Sequence, residues 1–354
     1  MKIVFVVPNM IGGGTERIVS ILANEYVQRG IDTAILIFAG DKVEYELDRR
    51  VEIVKIGGPS NGSIGVRLKR IKAMRKYYRQ NRDCVIFAFS VMGAVFSYIS
   101  TAGSRHPMLV SERNNPEEYD HKWLRDFFYR RADRVILQTK DVLQCFDEII
   151  QKKAVVIPNP IDPDLPPVFE GKRVKKITAV GRLEEQKNHR LLIEAFYEFQ
   201  KEFPEYTLEL YGRGSLENDL KKLVQTLEME EKVHFNGFCA NAREKIRDSM
   251  IYVLPSRYEG ISNSMIEALA MGIPVIATDC PVGGTRMCIR DGENGIMIPV
   301  DDKRALCVSM KKIASDEQFA LSISKNAAKL REQFSIGKIA DKLLDSMALG
   351  REGN

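Results

Sequence analysis

The stretch Ser256–Asp279, SRYEGISNSMIEALAMGIPVIATD, holds two carboxylates eight positions apart, Glu259 and Glu267. An apolar run leads into it, a polar turn with Gly260 separates the acids, and a helical pattern and a second apolar run follow. This order of strand, loop, helix and strand places both acids at the loop end of the helix. A helix N-terminus favours a bound anion, and carboxylates accept hydrogen bonds from sugar or ribose hydroxyls. The stretch therefore predicts a site for a phosphate and a sugar.

A purely local interpretation competes for one of these acids. Ser264 is the expected N-cap of the helix, and Ser264-x-x-Glu267 fits a capping box, in which Glu267 accepts a hydrogen bond from the Ser264 amide. The capping box leaves Glu259 without a role. The sequence leaves both interpretations of Glu267 open.

Composition is that of a globular protein of 354 residues, 44% hydrophobic and 29% charged, which is long enough for two domains. No apolar run reaches the roughly 20 residues that span a bilayer, and the start of the chain shows no secretory signal. The six cysteines lack CxxC or metal-like spacing, so we expect reduced core thiols and a cytoplasmic location. The basic excess lies in residues 1–165, with 25 Lys and Arg against 20 Asp and Glu.

The first half alternates strand-like and helical patterns, which predicts a doubly wound parallel α/β domain. A glycine turn, Gly12–Gly14, follows the first strand and precedes an amphipathic helix. The expected strands are Lys2–Val7, Thr33–Phe38, Glu52–Ile56, Cys84–Phe89, Met108–Ser111, Arg134–Thr139 and Val155–Ile157.

A proline-rich segment divides the chain, because proline at that density permits neither strand nor helix. We predict an N-terminal domain at residues 1–160, a linker at 161–175 and a second α/β domain at 176–335. One option for the last segment, 336–354, is a helix that returns to the N-terminal domain. The second set of strands is Lys176–Val180, Thr207–Tyr211, Val233–Phe235, Ile251–Leu254, Val275–Thr278 and Ile296–Val300.

Five short motifs occur in order: Gly12–Glu16, Val180–Lys187, Tyr211–Gly214, the pair Glu259 and Glu267, and Asp291–Gly295. With them the whole chain resembles the retaining glycosyltransferases of family 4, which have the GT-B architecture of two Rossmann-like domains facing a central cleft. The resemblance implies transfer of a hexose or N-acetylhexosamine from a nucleotide-diphosphate sugar, with UDP as the expected nucleotide. It also implies retention of the anomeric configuration.

The resemblance also implies roles for residues of the second domain. Arg182 and Lys187 would hold the diphosphate, and such fixed cations can stabilise a leaving phosphate as a metal does elsewhere. No convincing metal motif is present, so we expect neither metal nor cofactor. Glu267 would bind the ribose and Glu259 would act as the catalytic acid group, facing the hexose or the reacting centre. The remaining donor contacts would come from Gly212 near the base and the amides of Gly260, Ile261 and Ser262.

In the first domain, Gly13 and Gly14 would let the backbone approach the phosphate. Many relatives carry a histidine after the strand at Met108–Ser111, whereas this chain has Glu112, Arg113 and Asn114, which we expect on the acceptor or sugar side. Glu112 and Arg113 could instead form an interdomain ion pair.

A second departure follows Gly283 and Gly284. Relatives usually have an acid where this chain has Met287, which puts the local donor contacts in doubt.

A basic stretch, Arg67–Arg82, contains eight basic residues and no acid, with apolar residues at helical spacing. It fits an amphipathic helix on an anionic membrane, with Arg70, Lys72, Arg75 and Lys76 as candidate contacts. The alternative is a crossover helix that packs its apolar stripe on the sheet and has a solvated basic face. Membrane contact would suit an acceptor saccharide on a polyprenyl diphosphate, in capsule or O-antigen synthesis at the inner face of the cell membrane. We expect no nucleic-acid partner.

Three other functions stay open on sequence alone. A nicotinamide oxidoreductase is disfavoured because the glycine turn is not G-x-G-x-x-G. An epimerase or phosphorylase could share the fold, and a non-catalytic scaffold could bind a sugar nucleotide without turning it over.

Overall fold

The computed structural model describes residues 1–58, 63–113, 115–239 and 241–352. It divides the chain into two compact units. Unit 1 contains Met1–Pro160 together with the residues from Ile336 onward, and unit 2 contains Ile161–Ser335.

Unit 1 is built on one parallel sheet of seven strands in the order β3-β2-β1-β4-β5-β6-β7. The strands are β1 Lys2–Val7, β2 Asp32–Ile37, β3 Glu52–Lys55, β4 Cys84–Ala88, β5 Met108–Glu112, β6 Arg134–Leu137 and β7 Ala154–Val156. The helices between them are α1 Gly14–Gln28, α2 Ile64–Gln80, α3 Val91–Ser100, α4 Lys122–Tyr129, α5 Lys140–Leu143 and α6 Glu148–Gln151, with a 3-10 turn at Pro116–Glu118.

Unit 2 has a parallel sheet of six strands in the order β10-β9-β8-β11-β12-β13. Its strands are β8 Val174–Val180, β9 Thr207–Tyr211, β10 Val233–Phe235, β11 Ser249–Leu254, β12 Val275–Thr278 and β13 Ile296–Ile298. Its helices are α7 His189–Gln200, α8 Glu217–Thr226, α9 Ala242–Ile246, α10 Asn263–Ala270, α11 Gly284–Cys288, α12 Lys303–Ser315, α13 Glu317–Ala328 and α14 Leu330–Gln333, with a 3-10 turn at Glu185–Lys187. The doubly wound α/β fold expected for both halves is confirmed.

The last helix, α15 at Ile336–Glu352, packs on α1 of unit 1. Ile339, Ala340, Leu343 and Met347 are buried in the same core cluster as the apolar face of α1. The Tyr26 hydroxyl donates a hydrogen bond to the Ala340 carbonyl, 3.3 Å away. The chain therefore crosses from unit 1 to unit 2 and returns to unit 1 at Ile336.

The proline-rich segment after Pro160 has no regular structure, but it is not a free linker. Ile161 and Leu165 are buried in a core cluster of unit 2. The Ile161 amide donates to the Phe334 carbonyl at 2.8 Å, and Arg331 donates to the Leu165 and Pro166 carbonyls. These bonds attach the segment to unit 2.

Each sheet has a switch point where the strand order reverses direction, between β1 and β4 in unit 1 and between β8 and β11 in unit 2. Parallel α/β sheets bind ligands beyond the carboxyl ends of the strands at such points. None of the described helices is both long and apolar enough to cross a membrane.

Candidate active site

Two loops meet at the switch point of unit 2, one following β8 and one following β11. Lys187 ends the 3-10 turn of the first loop, and Glu259 lies in the second. The Lys187 Nζ lies 2.6 Å from Oε2 of Glu259, and the two side chains are only 11% and 14% exposed. An ion pair so shielded from water interacts more strongly than a surface pair. The pair therefore fixes two predicted site residues against each other.

Gln186 connects the same two loops through a second set of bonds. Its Nε2 donates to the Tyr258 carbonyl at 3.0 Å, and its own carbonyl accepts from the Arg257 amide at 2.9 Å. Its Oε1 accepts from Nη2 of Arg182 at 2.9 Å. Arg182 is exposed, so its guanidinium remains accessible to solvent while it is held by Gln186, the residue before Lys187.

Gly212 lets a third loop, which follows β9, approach the backbone of the loop after β8. Its φ is +146°, and a Cβ built there would lie 1.8 Å from the Gly181 carbonyl oxygen. Only glycine allows this backbone conformation and this approach. Gly284 likewise lies close to the loop after β11, because a Cβ built there would lie 1.8 Å from the Gly260 carbonyl oxygen.

Helix α10 starts earlier than the sequence pattern indicates. Ser262 is the N-cap, so the expectation that Ser264 caps the helix is wrong, and the Ser264–Glu267 capping box does not form. Ser264 instead donates to the Val180 carbonyl at 3.1 Å and accepts from the Tyr252 hydroxyl at 2.8 Å. These bonds tie α10 to β8, because Val180 is the last residue of that strand. Glu267 is buried in the first turns of α10.

The amides predicted to contact a diphosphate lie on this same segment. Gly260 is partly exposed, whereas Ile261 and Ser262 are buried. The Ser262 side chain makes no capping bond to the helix, although its hydroxyl lies 3.1 Å from that of Ser264. The N-terminal end of α10 therefore lacks side-chain capping by Ser262.

His189, the first residue of α7, is a buried histidine beside this site. Neither ring nitrogen has a hydrogen-bond partner among the described residues. Burial, together with the positive charge of Lys187, lowers the pKa of His189 to about 4. The imidazole is therefore neutral at pH 7. No group of three or more His, Cys, Asp or Glu that could hold a metal ion occurs in the described part of the chain.

In unit 1 the glycine turn after β1 is held by a tyrosine. The Tyr45 hydroxyl accepts from the Gly13 amide at 2.8 Å and donates to the Gly13 carbonyl at 2.6 Å. A Cβ built on Gly13 would lie 2.1 Å from Oε2 of Glu16, so this carboxylate fills the space beside the turn. Gly14 follows as the first residue of α1. A phosphate at this helix end would require the Glu16 side chain to move.

Glu112 is buried at the end of β5 and does not point into solvent. Its carboxylate accepts from the hydroxyls of Tyr119 and Tyr129, both at 3.2 Å, and from the Arg113 amide at 3.0 Å. The Arg113 guanidinium donates to the neutral side chains of Ser111 and Asn159. Asn114, the third residue expected here, lies outside the described residues.

Helix α2 presents a basic surface that differs from the expected one. Arg70 is only 2% exposed, with its guanidinium 6.0 Å from the Phe96 ring centroid, so its assignment as a membrane contact is wrong. Lys72 and Lys76 are exposed, while Arg75 donates to the Ala102 carbonyl at 2.8 Å. Helical periodicity brings Arg70 onto the same face as Met74, which packs inward.

Sequence reasoning missed several residues that shape these loops. Gln186 and Tyr45 could not be singled out from the sequence, because their roles depend on partners far away along the chain. His189 alone had a usable signal, since it directly follows the cation-bearing loop and opens an apolar helix.

Comparison with known families covers nearly all of the chain. Residues 12–165 match the model described as Glycosyltransferase Family 4, and residues 165–330 match the model described as Glycosyl transferases group 1. The structure is similar to that of Anabaena HepE solved with UDP and glucose, with a TM-score of 0.83 over 98% of this chain and 99% of that chain. The chain is a GT-B glycosyltransferase. At 20% identity the solved structure speaks to the fold alone.

Two curated relatives of this glycosyltransferase match over almost its full length, and both are from Campylobacter jejuni. The first is N-acetylgalactosamine-N,N'-diacetylbacillosaminyl-diphospho-undecaprenol 4-alpha-N-acetylgalactosaminyltransferase, 29% identical over 93% of this chain and 94% of the relative. The second is GalNAc-alpha-(1->4)-GalNAc-alpha-(1->3)-diNAcBac-PP-undecaprenol alpha-1,4-N-acetyl-D-galactosaminyltransferase, 25% identical over 98% of each.

Proposed function

We propose that this glycosyltransferase moves a hexose or N-acetylhexosamine from a UDP-sugar to a saccharide on a polyprenyl diphosphate, in the synthesis of a cell-surface polysaccharide such as a capsule or O-antigen. The observation that carries the acceptor class is the match to two relatives whose names specify undecaprenyl-diphosphate-linked saccharides. Those matches extend over more than nine-tenths of the chain, so both units take part in the likeness.

The donor diphosphate would bind at the carboxyl edge of the unit 2 sheet. A lysine ammonium has three N–H donors, and the bond to Glu259 uses one, so Lys187 can hold Glu259 and a phosphate at once. The exposed guanidinium of Arg182 adds a second cation. Together they would stabilise the charge that develops on the departing nucleotide, without a metal.

The rest of the nucleotide sugar would extend along α10 and the neighbouring loops. Glu267 would accept hydrogen bonds from the ribose hydroxyls, and the Gly260, Ile261 and Ser262 amides would face the diphosphate. Phe238 is 71% exposed after β10, where its ring is free to stack on the base.

The transfer step would retain the anomeric configuration by attack on the same face as the leaving group. The bond from the anomeric carbon to the phosphate oxygen breaks, a bond to the acceptor oxygen forms, and the acceptor proton passes to the leaving phosphate. A covalent intermediate on Glu259 is disfavoured, because an ion pair with Lys187 withdraws charge from that carboxylate. Glu259 instead would orient a hexose hydroxyl at the reacting centre.

A peripheral position at the inner face of the cell membrane would bring the enzyme to a lipid-linked acceptor. Helix α2 supports this position, because it exposes Lys72 and Lys76 together with two large apolar side chains, Ile64 and Leu68. Basic and apolar groups on one exposed helix are typical of binding to an anionic lipid surface.

Thermal shift measurements with UDP, GDP, ADP and NAD, with and without EDTA, test the donor assignment. Ligand binding to the native state raises Tm, so UDP should raise it, and EDTA should not abolish the effect. Glu267→Ala should lose most of that shift while it remains folded, whereas Glu230→Ala, at an exposed loop position after α8, should keep it. A shift with NAD alone would contradict the proposal. UDP-sugar conversion without acceptor would favour an epimerase, and binding without any turnover would favour a scaffold.

A further inference from the structure

Arg113 follows β5 at the carboxyl edge of the unit 1 sheet, and its guanidinium is surrounded by neutral groups. Its Nε donates to the Ser111 hydroxyl at 3.0 Å, and its Nη1 donates to Oδ1 of Asn159. The guanidinium carbon lies 4.8 Å from the ring centroid of Phe89, the residue that follows β4. Asn159 is itself held by Gln138, whose Nε2 donates to the same oxygen at 2.8 Å.

No carboxylate among the described side chains lies within ion-pair distance of Arg113. The neighbouring Glu112 carboxylate points to two tyrosine hydroxyls and to the Arg113 amide, so it fixes the loop rather than the guanidinium charge. Desolvation lowers the pKa of Arg113 to about 9. The side chain is nevertheless charged at pH 7.

Arg113 is partly exposed, so a ligand can reach its guanidinium. A charge that is largely shielded from water and has no counter-ion costs stability unless a ligand supplies the opposite charge. A guanidinium has five N–H donors in a planar fork, and the bonds to Ser111 and Asn159 use two of them. The other donors suit the oxygens of a phosphate, which match the fork better than the single oxygen of a sugar hydroxyl.

We propose that Arg113 is the anion-binding residue of unit 1 and holds a phosphate of a diphosphate ligand. The proposal rests on the proposed function, since glycosyl transfer from UDP to a polyprenyl-linked saccharide involves two diphosphates. The ligand is either the diphosphate of the lipid-linked acceptor or that of the nucleotide donor. Arg113 would thus recognise charge rather than the sugar that a histidine faces in other family members.

Titration calorimetry of the full chain with two probes tests this and separates the two sources. Farnesyl diphosphate, titrated in the presence of saturating UDP, represents the acceptor, and UDP alone represents the donor. The variant Arg113→Met keeps the apolar contact with Phe89 and removes the charge. Arg49→Met, at an exposed loop position of the same unit, is the control.

If the phosphate belongs to the acceptor, we expect Arg113→Met to weaken the binding of farnesyl diphosphate at least tenfold and to leave the affinity for UDP unchanged. The reverse pattern would assign the donor, and Arg49→Met should change neither. A folded Arg113→Met that binds both probes like the wild type would overturn the proposal. If Arg113→Met does not fold, Arg113→Gln removes the charge and keeps a polar side chain, so unchanged binding of both probes by this variant would also overturn the proposal.

Failure of the proposed function has a different signature. A wild-type protein that binds no UDP and transfers no sugar would contradict the glycosyl-transfer assignment before any variant is made. Wild-type binding of UDP together with equal affinity for farnesyl diphosphate and farnesol would leave glycosyl transfer intact and reject the acceptor as the anion source. The UDP titration of Arg113→Met then decides alone whether Arg113 binds any anion.

Discussion

At the scale of single residues, the Lys187–Glu259 pair is the feature on which the candidate site depends. Both side chains are largely shielded from water, so each partner leaves an uncompensated charge when the other is removed. We also propose that the Lys187 ammonium donates a hydrogen bond to the diphosphate of the nucleotide sugar. Stability and nucleotide binding should therefore fall together when it is lost.

Lys187→Met should reduce the free energy of unfolding by about 1–3 kcal/mol and weaken UDP binding at least tenfold. Denaturant unfolding and titration calorimetry measure the two effects. Lys201→Met is the matched control, because Lys201 also pairs with a carboxylate, that of Glu198, but is 52% exposed. UDP affinity that is equal in Lys187→Met and the wild type would remove the lysine from the donor site.

His189 should make the stability of the protein depend on pH. Its pKa is about 4 in the folded chain, against about 6.5 when unfolded. The unfolded state therefore gains a proton first as the pH falls, and the stability present above pH 6.5 is lost progressively toward pH 4. The loss amounts to about 3 kcal/mol.

Unfolding curves from pH 7.5 to pH 4.5 should show a smaller loss of stability in His189→Gln than in the wild type. His121→Gln, at an exposed position in unit 1, should retain the wild-type slope. Parallel slopes in His189→Gln and the wild type would contradict the assignment of this pH dependence to the buried imidazole.

Sequence patterns predicted the strands better than the side-chain contacts. Buried parallel strands are continuous apolar runs, so all of their positions are visible in the sequence. Arg70 was expected to contact a membrane and Glu112 to face the acceptor or sugar, yet both are buried, Arg70 beside Phe96 and Glu112 between two tyrosine hydroxyls. Such burial depends on segments brought together by the fold, which no local pattern contains.

At the scale of elements, the start of a helix also depends on contacts that the fold brings together. The sequence around Ser264 fits a capping box, but its hydroxyl bonds to the end of β8 instead, and the helix begins at Asn263. The hydrogen bond from Ser264 to β8 therefore replaces the local capping bond that the sequence predicts, and it attaches α10 to the sheet.

Helix α2 is the element whose surface we expect to contact lipid. Lys72→Ser/Lys76→Ser should weaken binding to phosphatidylglycerol vesicles about 30-fold, since each basic residue contributes about 1 kcal/mol. Co-sedimentation measures this, and Lys221→Ser/Lys222→Ser on α8 is the control with the same charge change. Arg70 is left intact in this test, because its removal would disturb the core. Vesicle binding that is the same in all three proteins would rule out α2 as the contact.

At the scale of the whole molecule, α15 makes the integrity of unit 1 depend on the end of the chain. Its four buried side chains, Ile339, Ala340, Leu343 and Met347, contribute about 5 kcal/mol by burial. That amount is comparable with the entire stability of a domain.

A chain that ends at Ser335 should therefore lose the protection of unit 1 in hydrogen–deuterium exchange, while unit 2 keeps its protection. A chain that ends at Met347 retains all four side chains and serves as the control. Equal protection of unit 1 in the two truncated proteins would show that α15 is dispensable.

The return of α15 to unit 1 also sets the order in which the two units can complete their folding during translation. Residues 1–160 are translated before unit 2, but their core lacks one helix until residues 336–352 have been synthesised. Unit 2, encoded later, already has its complete sequence at Ser335. Of the two units, the one that emerges first is thus the one that is completed last, and its apolar α1 face stays uncovered while the whole of unit 2 is synthesised.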